Sequence, residues 1–448
     1  MKKILLLISV TTSFVLNAQF WSPTATGFSS PSRSLNSISI VDTNVIWANA
    51  FDNSDPNRQD FTVKNFTRSI DGGNTWTPGT IDLGAGIATP ADLGVSSITA
   101  VSSSTAWISV YPDALVTSEV GGIWKTTDSG VSWSKQTTAL FNGAGSYANF
   151  VHFWDANNGI AQGDPENGEF EIYTTTNGGV NWTRVPAANI PDPNPDVNGE
   201  FGYFNLFTVS GNTIWFGTDR GRIFRSSDKG LTWTAYNSVY SSDFGLDRFT
   251  FSSATKGILM IHNTLKIYST ADGGATWNPI TTPDFYKTEI AYIPGTSTVI
   301  AGAEANPFGS SYSTNDGLTW NTIDALYHGT AVFLNTSFGF SAGMNTSSTV
   351  GGVYKFTGIP PLKNPSFDLK NQISAYPNPT NGIVYLMSEN ALIKEATIID
   401  LLGRHVFSSK FLPSNKVDLD IKSLQSGSYV LKVTSDSGST ETMKIMKN

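Results

Sequence analysis

The chain has 448 residues, of which 39% are hydrophobic and only 14% charged, with a formal net charge of −8. That hydrophobic content excludes a wholly disordered chain, and the length suits one large repetitive domain plus an appendage. The absence of cysteine excludes disulfides, thiolate metal sites and cysteine nucleophiles, and the acidic balance with few arginines argues against a nucleic-acid binder.

Lys2 and Lys3 precede an apolar run from Ile4 to Leu16 that ends at Asn17-Ala18-Gln19, which predicts a signal peptide over residues 1–18. No run reaches the roughly 20 apolar residues that a membrane-spanning helix requires, so no transmembrane segment is expected. Removal of Lys2 and Lys3 would take the charge from −8 to −10, leaving an acidic exported chain.

Six segments then share the pattern Ser/Thr-x-Asp/Asn-x-Gly-x-polar-Trp. They carry Asp71 and Trp76, Asp128 and Trp133, Asn177 and Trp182, Asp228 and Trp233, Asp272 and Trp277, and Asn315 and Trp320. The residue types are those of a hairpin turn: the Asx side chain accepts turn N–H groups, glycine supplies a positive φ, and tryptophan buries the turn. Six copies at one position per repeat would lie on a ring, far apart, which argues against a shared catalytic or metal set. A pair of strands precedes each copy, and a seventh pair at Ala331–Gly343 and Gly352–Thr357 stops where its turn should begin. The segment Phe20-Trp21-Ser-Pro-Thr resembles the stretch that leaves each turn, such as Trp277-Asn-Pro-Ile-Thr, so the first strand is expected to complete the last repeat. With repeats of 43 to 57 residues between successive tryptophans, the expectation is an all-β, seven-bladed β-propeller over residues 19–357. A stacked solenoid is the alternative, disfavoured by the shared blade.

The turn pattern resembles the Asp-box, or bacterial neuraminidase repeat, over nearly the whole of residues 20–357. The blade form is most similar to propellers of the photosystem II stability and assembly-factor kind, and more distantly to sortilin-type propellers. That resemblance implies a binding scaffold without a catalytic centre. Sialidases share the box, but they need an arginine triad and usually an Arg-Ile-Pro near the N-terminus; the nearest string here, Arg222-Ile-Phe-Arg225, lies mid-chain beside a box. Xyloglucan-cleaving Asp-box enzymes resemble a pair of such propellers, whereas this chain holds one.

The Asp-boxes join the third and fourth strands of each blade, so the long irregular connections fall on the opposite face, where a rigid scaffold presents loops for function. Asp52 to Asp60 and the run Asp192, Asn194, Asp196, Asn198, Glu200 alternate oxygen-bearing residues as calcium loops do, although the second lacks the EF-hand glycine and final glutamate. Calcium is thus a candidate ion, while no cofactor is required. Asp164, Glu166, Asp219, Asp243 and Asp247 are the carboxylates from which a glycosidase acid and base would be drawn. His152, His262, His328 and His405 are scattered over different units, and their spacing assembles neither a triad nor a zinc set.

A proline-rich stretch, residues 358–372, reads as a linker. Beyond it, residues 373–448 alternate apolar residues between Gly and Asn turns, which predicts a small antiparallel β-sandwich. Its elements Tyr376-Pro377-Asn378-Pro379, Asp400-Leu-Leu-Gly403-Arg404 and Gly427-Ser-Tyr429 closely resemble the type A C-terminal sorting domain of the type IX secretion system. The resemblance implies engagement with that machinery and a protein that is secreted or attached to the outer cell surface. The sequence thus leads to a secreted or surface binding propeller that engages a protein or glycan through the face opposite the Asp-boxes. A glycoside hydrolase or lyase using the carboxylates of that face, and a surface adhesin, are the alternatives.

Overall fold

In the computed structural model the described residues are 20–448, except 55–62, 85–86, 88, 114–118, 144, 196–198, 240–247, 262–265, 282–284, 287, 305, 360–372, 390 and 439. The expected signal peptide, most of the linker, and Asp55, Asp60, Asp196, Asn198, Asp243, Asp247 and His262 therefore lie outside the described residues. The chain divides into two units, Met1–Pro360 and Pro361–Asn448.

Among the described residues the first unit holds seven four-stranded antiparallel sheets, six of them built from four consecutive strands. Their innermost strands are Arg33–Ile40, Leu93–Ala100, Ala148–Phe153, Gly202–Ser210, Arg248–Phe251, Glu289–Tyr292 and Ala331–Asn335. Each contacts the next and the seventh contacts the first, so the sheets form a closed propeller with these strands around its axis. The seventh sheet takes its outer strand from the start of the chain. Trp21–Ala25 pairs with Val350–Phe356, with Trp21 opposite Phe356, and Phe20 O accepts the N–H and hydroxyl of Thr357. Closure of this kind gives the seventh blade its fourth strand, so Val350–Phe356 is not left as an unpaired edge.

The second strand of each blade is covered on both faces and reads as a nearly continuous apolar run, as in Ile46–Asp52, Ala106–Pro112 and Gly257–Ile261. The core lies between blades: one cluster joins Leu35 and Ile46 of the first blade to Phe340 and Val353 of the seventh. Trp47, Trp107 and Trp215, on equivalent second strands, are fully buried there. Trp124 lies on a third strand, and Trp154 stands one residue beyond its strand rather than within it.

All six Asp-boxes are turns between third and fourth strands, and their chemistry repeats. The opening hydroxyl donates to the Asx Oδ1, at 2.8 Å for Ser69 to Asp71 and Thr126 to Asp128. That same hydroxyl accepts the N–H of the box glycine, and the Asx Oδ1 accepts the N–H four residues on. The box glycine has φ from 81° at Gly73 to 98° at Gly274, a conformation other residues adopt only with strain. Hydrogen bonds from Ser132 and Thr276 hold the carboxyls of Asp128 and Asp272 down at about 2. These side chains are committed to the turns.

The second unit stacks a three-stranded sheet (Ile373–Tyr376, Ile383–Ser388, Lys416–Asp420) on a four-stranded one (Ile393–Ile399, His405–Ser414, Gly427–Ser435, Thr440–Lys447). Val384, Leu386 and Leu419 from the first and Ile398, Leu431 and Val433 from the second share one core. Its sequence elements are latches. In the turn after Tyr376 and Pro377, Asn378 exchanges hydrogen bonds with Lys444 O and Met446 N of the last strand, just before Pro379. Arg404 closes onto Asp400 at 2.7 Å across Gly403, and the Tyr429 hydroxyl, two residues past Gly427, donates to Gln425 O.

Candidate functional site

The innermost strands enclose a channel of about 490 Å3. Its end on the loop face is bordered by the starts of these strands and carries Asp52, Tyr111, Phe204, Asn205, Arg248, Glu289 and Glu304. Two ion pairs stand there: Arg33 with Asp52, and Arg248 with Glu289 at 2.7 Å.

Near their starts, four of the innermost strands pair irregularly. Extra residues interrupt the pairing at Asn36, Ser96 and Asn149 in the first three blades. In the fourth blade the pairing jumps from Gly202 opposite Thr218 to Phe207 opposite Phe216, so residues 203–206 face a single partner residue. A bulge re-aims side chains, and this one throws Phe204 and Asn205 over the channel mouth. Asn205, in the left-handed region at φ 56°, donates across the mouth to Asn36 O of the first blade. Asn36 in turn donates to Ser96 O, and Ser96 to Ala148 O. Phe204 stacks on Tyr111 with ring centres 3.8 Å apart, yet it and Phe201 each remain 43% exposed. Exposed aromatic side chains on a held backbone are the residue type that dominates recognition surfaces. Nothing in the apolar periodicity singles out these residues; the only hint is an aromatic run, Phe201-Gly-Tyr203-Phe204, just ahead of a strand.

Two of the carboxylates named from the sequence hold this bulge in place. Asp164 Oδ1 accepts the Gly202 N–H at 2.9 Å and the Asn149 amide at 2.8 Å. Asp219 Oδ1 accepts the Phe201 N–H at 2.8 Å, while its own N–H returns to Phe201 O. Asp164 is buried, and burial pushes its carboxyl up to about 7, with Asp219 and Glu171 adding repulsion against the two hydrogen bonds that favour its charge. Glu166 stands apart, accepting the Gly145 N–H at 3.3 Å beside a second hollow of about 360 Å3 that Glu169 and Arg184 also line. Glu171, which no sequence pattern singles out, is buried with Ser146, with the Tyr173 hydroxyl at 3.1 Å and with Arg184 at 3.5 Å.

In the candidate calcium run, Glu200 is buried and ion-paired. Arg222 donates to its Oε2 at 2.7 Å, the Asn194 N–H to the same oxygen at 2.8 Å, and Thr218 to its other oxygen. Asp192 contributes its backbone carbonyl to Arg222 at 3.0 Å. No group of three or more His, Asp or Glu side chains able to hold a metal ion occurs among the described residues.

Histidine spacing offers no triad, but the fold assembles a Ser–His–Asp chain. The His328 Nδ1 meets Ser341 Oγ and its Nε2 meets Asp324 Oδ2, both at 3.1 Å. His328 and Ser341 are each 1% exposed, and the ring packs against Trp21 and Tyr354. Asp324 Oδ1 takes a hydrogen bond from Ser310, whose hydroxyl accepts the Trp21 indole N–H. The chain ties the sixth and seventh blades to the closing strand, and sequence-distant side chains on neighbouring strands make it invisible to spacing. His152 faces the channel interior, where burial drives it down to about 4.

The fold and its second unit define an all-β propeller that carries an export tail. Residues 374–448 match the family model of the secretion system C-terminal sorting domain, which marks proteins exported by type IX secretion to the cell surface or extracellular space. The structure described as YCF48 bound to D1 peptide is similar at TM-score 0.52 and 16% identity, covering 78% of this chain and 98% of that one. The xyloglucanase structure from Xanthomonas campestris is similar at TM-score 0.40 and 13% identity, over 91% of this chain and 66% of that one. A curated xyloglucanase of Hypocrea jecorina is 26% identical over 205 residues, 38% of this chain; the chain thus spans about a quarter, 24%, of that relative's length. No helix among the described residues is long and apolar enough to cross a membrane.

Proposed function

We propose that this chain is an exported binding propeller whose channel mouth, on the face opposite the Asp-boxes, receives a protein or glycan. The observation that carries this reading is the use made of Asp164 and Asp219. Both carboxylates accept backbone N–H groups of residues 201 and 202, so they present Phe201 and Phe204 rather than standing open to a substrate. The tail delivers the molecule to where extracellular polymers are met, and the peptide bound in the YCF48 structure makes peptides one class to test.

Hydrolysis of a glycoside is the second reading, favoured by one observation: a carboxyl raised to about 7 is protonated near neutrality, as a general acid must be. The partial match to a xyloglucanase points the same way. A glycan and peptide array read alongside reducing-sugar release separates the two. Phe204→Ala should leave folding intact, because the ring is 43% exposed, and weaken binding by roughly tenfold, about 1.4 kcal/mol. Sugar release that Asp164→Asn abolishes would replace the binding reading with the hydrolytic one.

A further inference from the structure

Asn149 and Asp164 meet at the foot of the bulge that carries Phe204. The Asn149 amide nitrogen donates to Asp164 Oδ1 at 2.8 Å, but the Asn149 carbonyl oxygen Oδ1 is buried and has no hydrogen-bond partner. A buried amide oxygen without a donor is costly, and each such orphan in a native structure calls for an explanation. An ionised carboxylate cannot supply the donor, because it only accepts; a carboxylic acid can. With its proton on Oδ2, the Asp164 acid donates to the amide oxygen while its Oδ1 keeps the amide N–H, closing the two-bond ring that an acid and a primary amide form.

We propose that Asp164 stands in the folded protein as a neutral carboxylic acid paired with the Asn149 amide, and that this neutral pair positions Gly202 and the aromatic bulge of the channel mouth. The bulge rests directly on this pair: a Cβ on Gly202 would sit 2.5 Å from the Asn149 side-chain nitrogen, so the Gly202 backbone lies against the amide. The surrounding charges support the pairing. Glu171 reaches toward Asp164 from the third strand of the same blade and Asp219 from the turn after Thr213–Thr218, and both are carboxylates. Arg184 pairs with Glu171 at 3.5 Å, and Arg220 approaches Asp219 at 3.8 Å while its Nε donates to Gly199 O at 2.9 Å. The upward shift of the Asp164 carboxyl agrees with this geometry. Asp164 is thereby a positioning residue, and loss of its proton leaves Asn149 Oδ1 orphaned and loosens the platform. The inference concerns regulation of the binding site at the channel mouth and rests on that reading for its role, but the acid–amide pair requires no ligand.

The test is hydrogen exchange of the full chain at pH 6 and pH 8.5, corrected for intrinsic rate, comparing the segment 201–206 with the core strand Gly427–Ser435 of the second unit as reference. In the wild type, protection of 201–206 should fall at least fivefold at the higher pH relative to the reference. Asp164→Asn keeps the shape, stays neutral and supplies an N–H to Asn149, so it should hold protection at both pH values. Asp164→Ala should lose protection at both; should that variant fail to fold, a melting temperature for Asp164→Asn that gains on the wild type between pH 5 and pH 8 supports the pair equally. Loss of protection in Asp164→Asn already at pH 6, or an unchanged pH dependence in that variant, would overturn the proposal. Because no ligand enters the measurement, its failure leaves the binding reading standing, and a failed ligand screen leaves the acid–amide pair standing.

Discussion

Replacing Trp21 by alanine tests whether the first strand closes the ring. Trp21 is 3% exposed, its indole N–H donates to Ser310 Oγ at 3.1 Å, and the rings of Phe20, Phe333, Phe356 and His328 surround it at 5.2 to 6.2 Å. Truncating a buried tryptophan costs about 3–5 kcal/mol, from lost burial and the cavity left behind. For a unit of this size, unfolding entropy is about 0.7 kcal/mol per kelvin, so the melting temperature should drop by about 4–7 °C. Calorimetry of the full chain reads this directly, because the sorting unit has its own core and should melt independently of the change. The reasoning requires that only the propeller transition moves. A shift below about 1 °C, or an equal shift of both transitions, would show that the strand is an ornament rather than the seventh blade's outer edge.

The same geometry sets three further outcomes. Glu200→Gln should destabilise the chain by about 3 kcal/mol in chemical denaturation, because it leaves the Arg222 guanidinium without its buried carboxylate. The Asp164 carboxyl titrates at about 7 when folded and near 3.8 when unfolded, so its favourable contribution is complete below pH 3.8 and is lost as pH rises toward 7, beyond which it is flat. The corresponding slope is at most about 1.4 kcal/mol per pH unit, and subtracting the stability curve of Asp164→Asn should isolate it. Trp21→Phe, which removes the N–H to Ser310, and Asp324→Asn should couple by about 1 kcal/mol in a double-mutant cycle, whereas additivity within about 0.3 kcal/mol would deny the network.

The propeller was legible because its information is local and repeated. A hydroxyl, an Asx, a glycine and a tryptophan within eight residues specify each box turn, and the turn fixes which strands pair. Ring closure was legible for the same reason: Phe20-Trp21-Ser-Pro shows the second half of a unit whose first half ends at Thr357. The channel mouth was not, because its determinants are long-range. The Asn205 amide finds Asn36 O 169 residues away, and the Asp164 carboxylate finds the Gly202 N–H across 38. The sequence named Asp164 and Asp219 only as carboxylates of the loop face, and the backbone of the bulge shows what they hold.

Acidic residues therefore divide between two tasks set by face. On the Asp-box face the box carboxyls Asp71, Asp128, Asp228 and Asp272 are answered by hydroxyls and N–H groups of their own turns, and those of Asp128 and Asp272 lie at about 2, ionised throughout the physiological range. Such turns resist change in pH and surroundings, which suits a scaffold that lacks disulfides. On the loop face the partners come from other elements, and the result differs residue by residue. Glu200 is matched by a guanidinium, Asp219 by a backbone N–H, and Asp164 by an amide that demands a proton. Burial pushes the Asp164 carboxyl up to about 7, and the segment it holds is the one that puts the exposed Phe204 over the channel. The loop face thus holds a carboxyl whose charge changes near neutrality, on a ring whose Asp-box carboxyls of Asp128 and Asp272 stay ionised there.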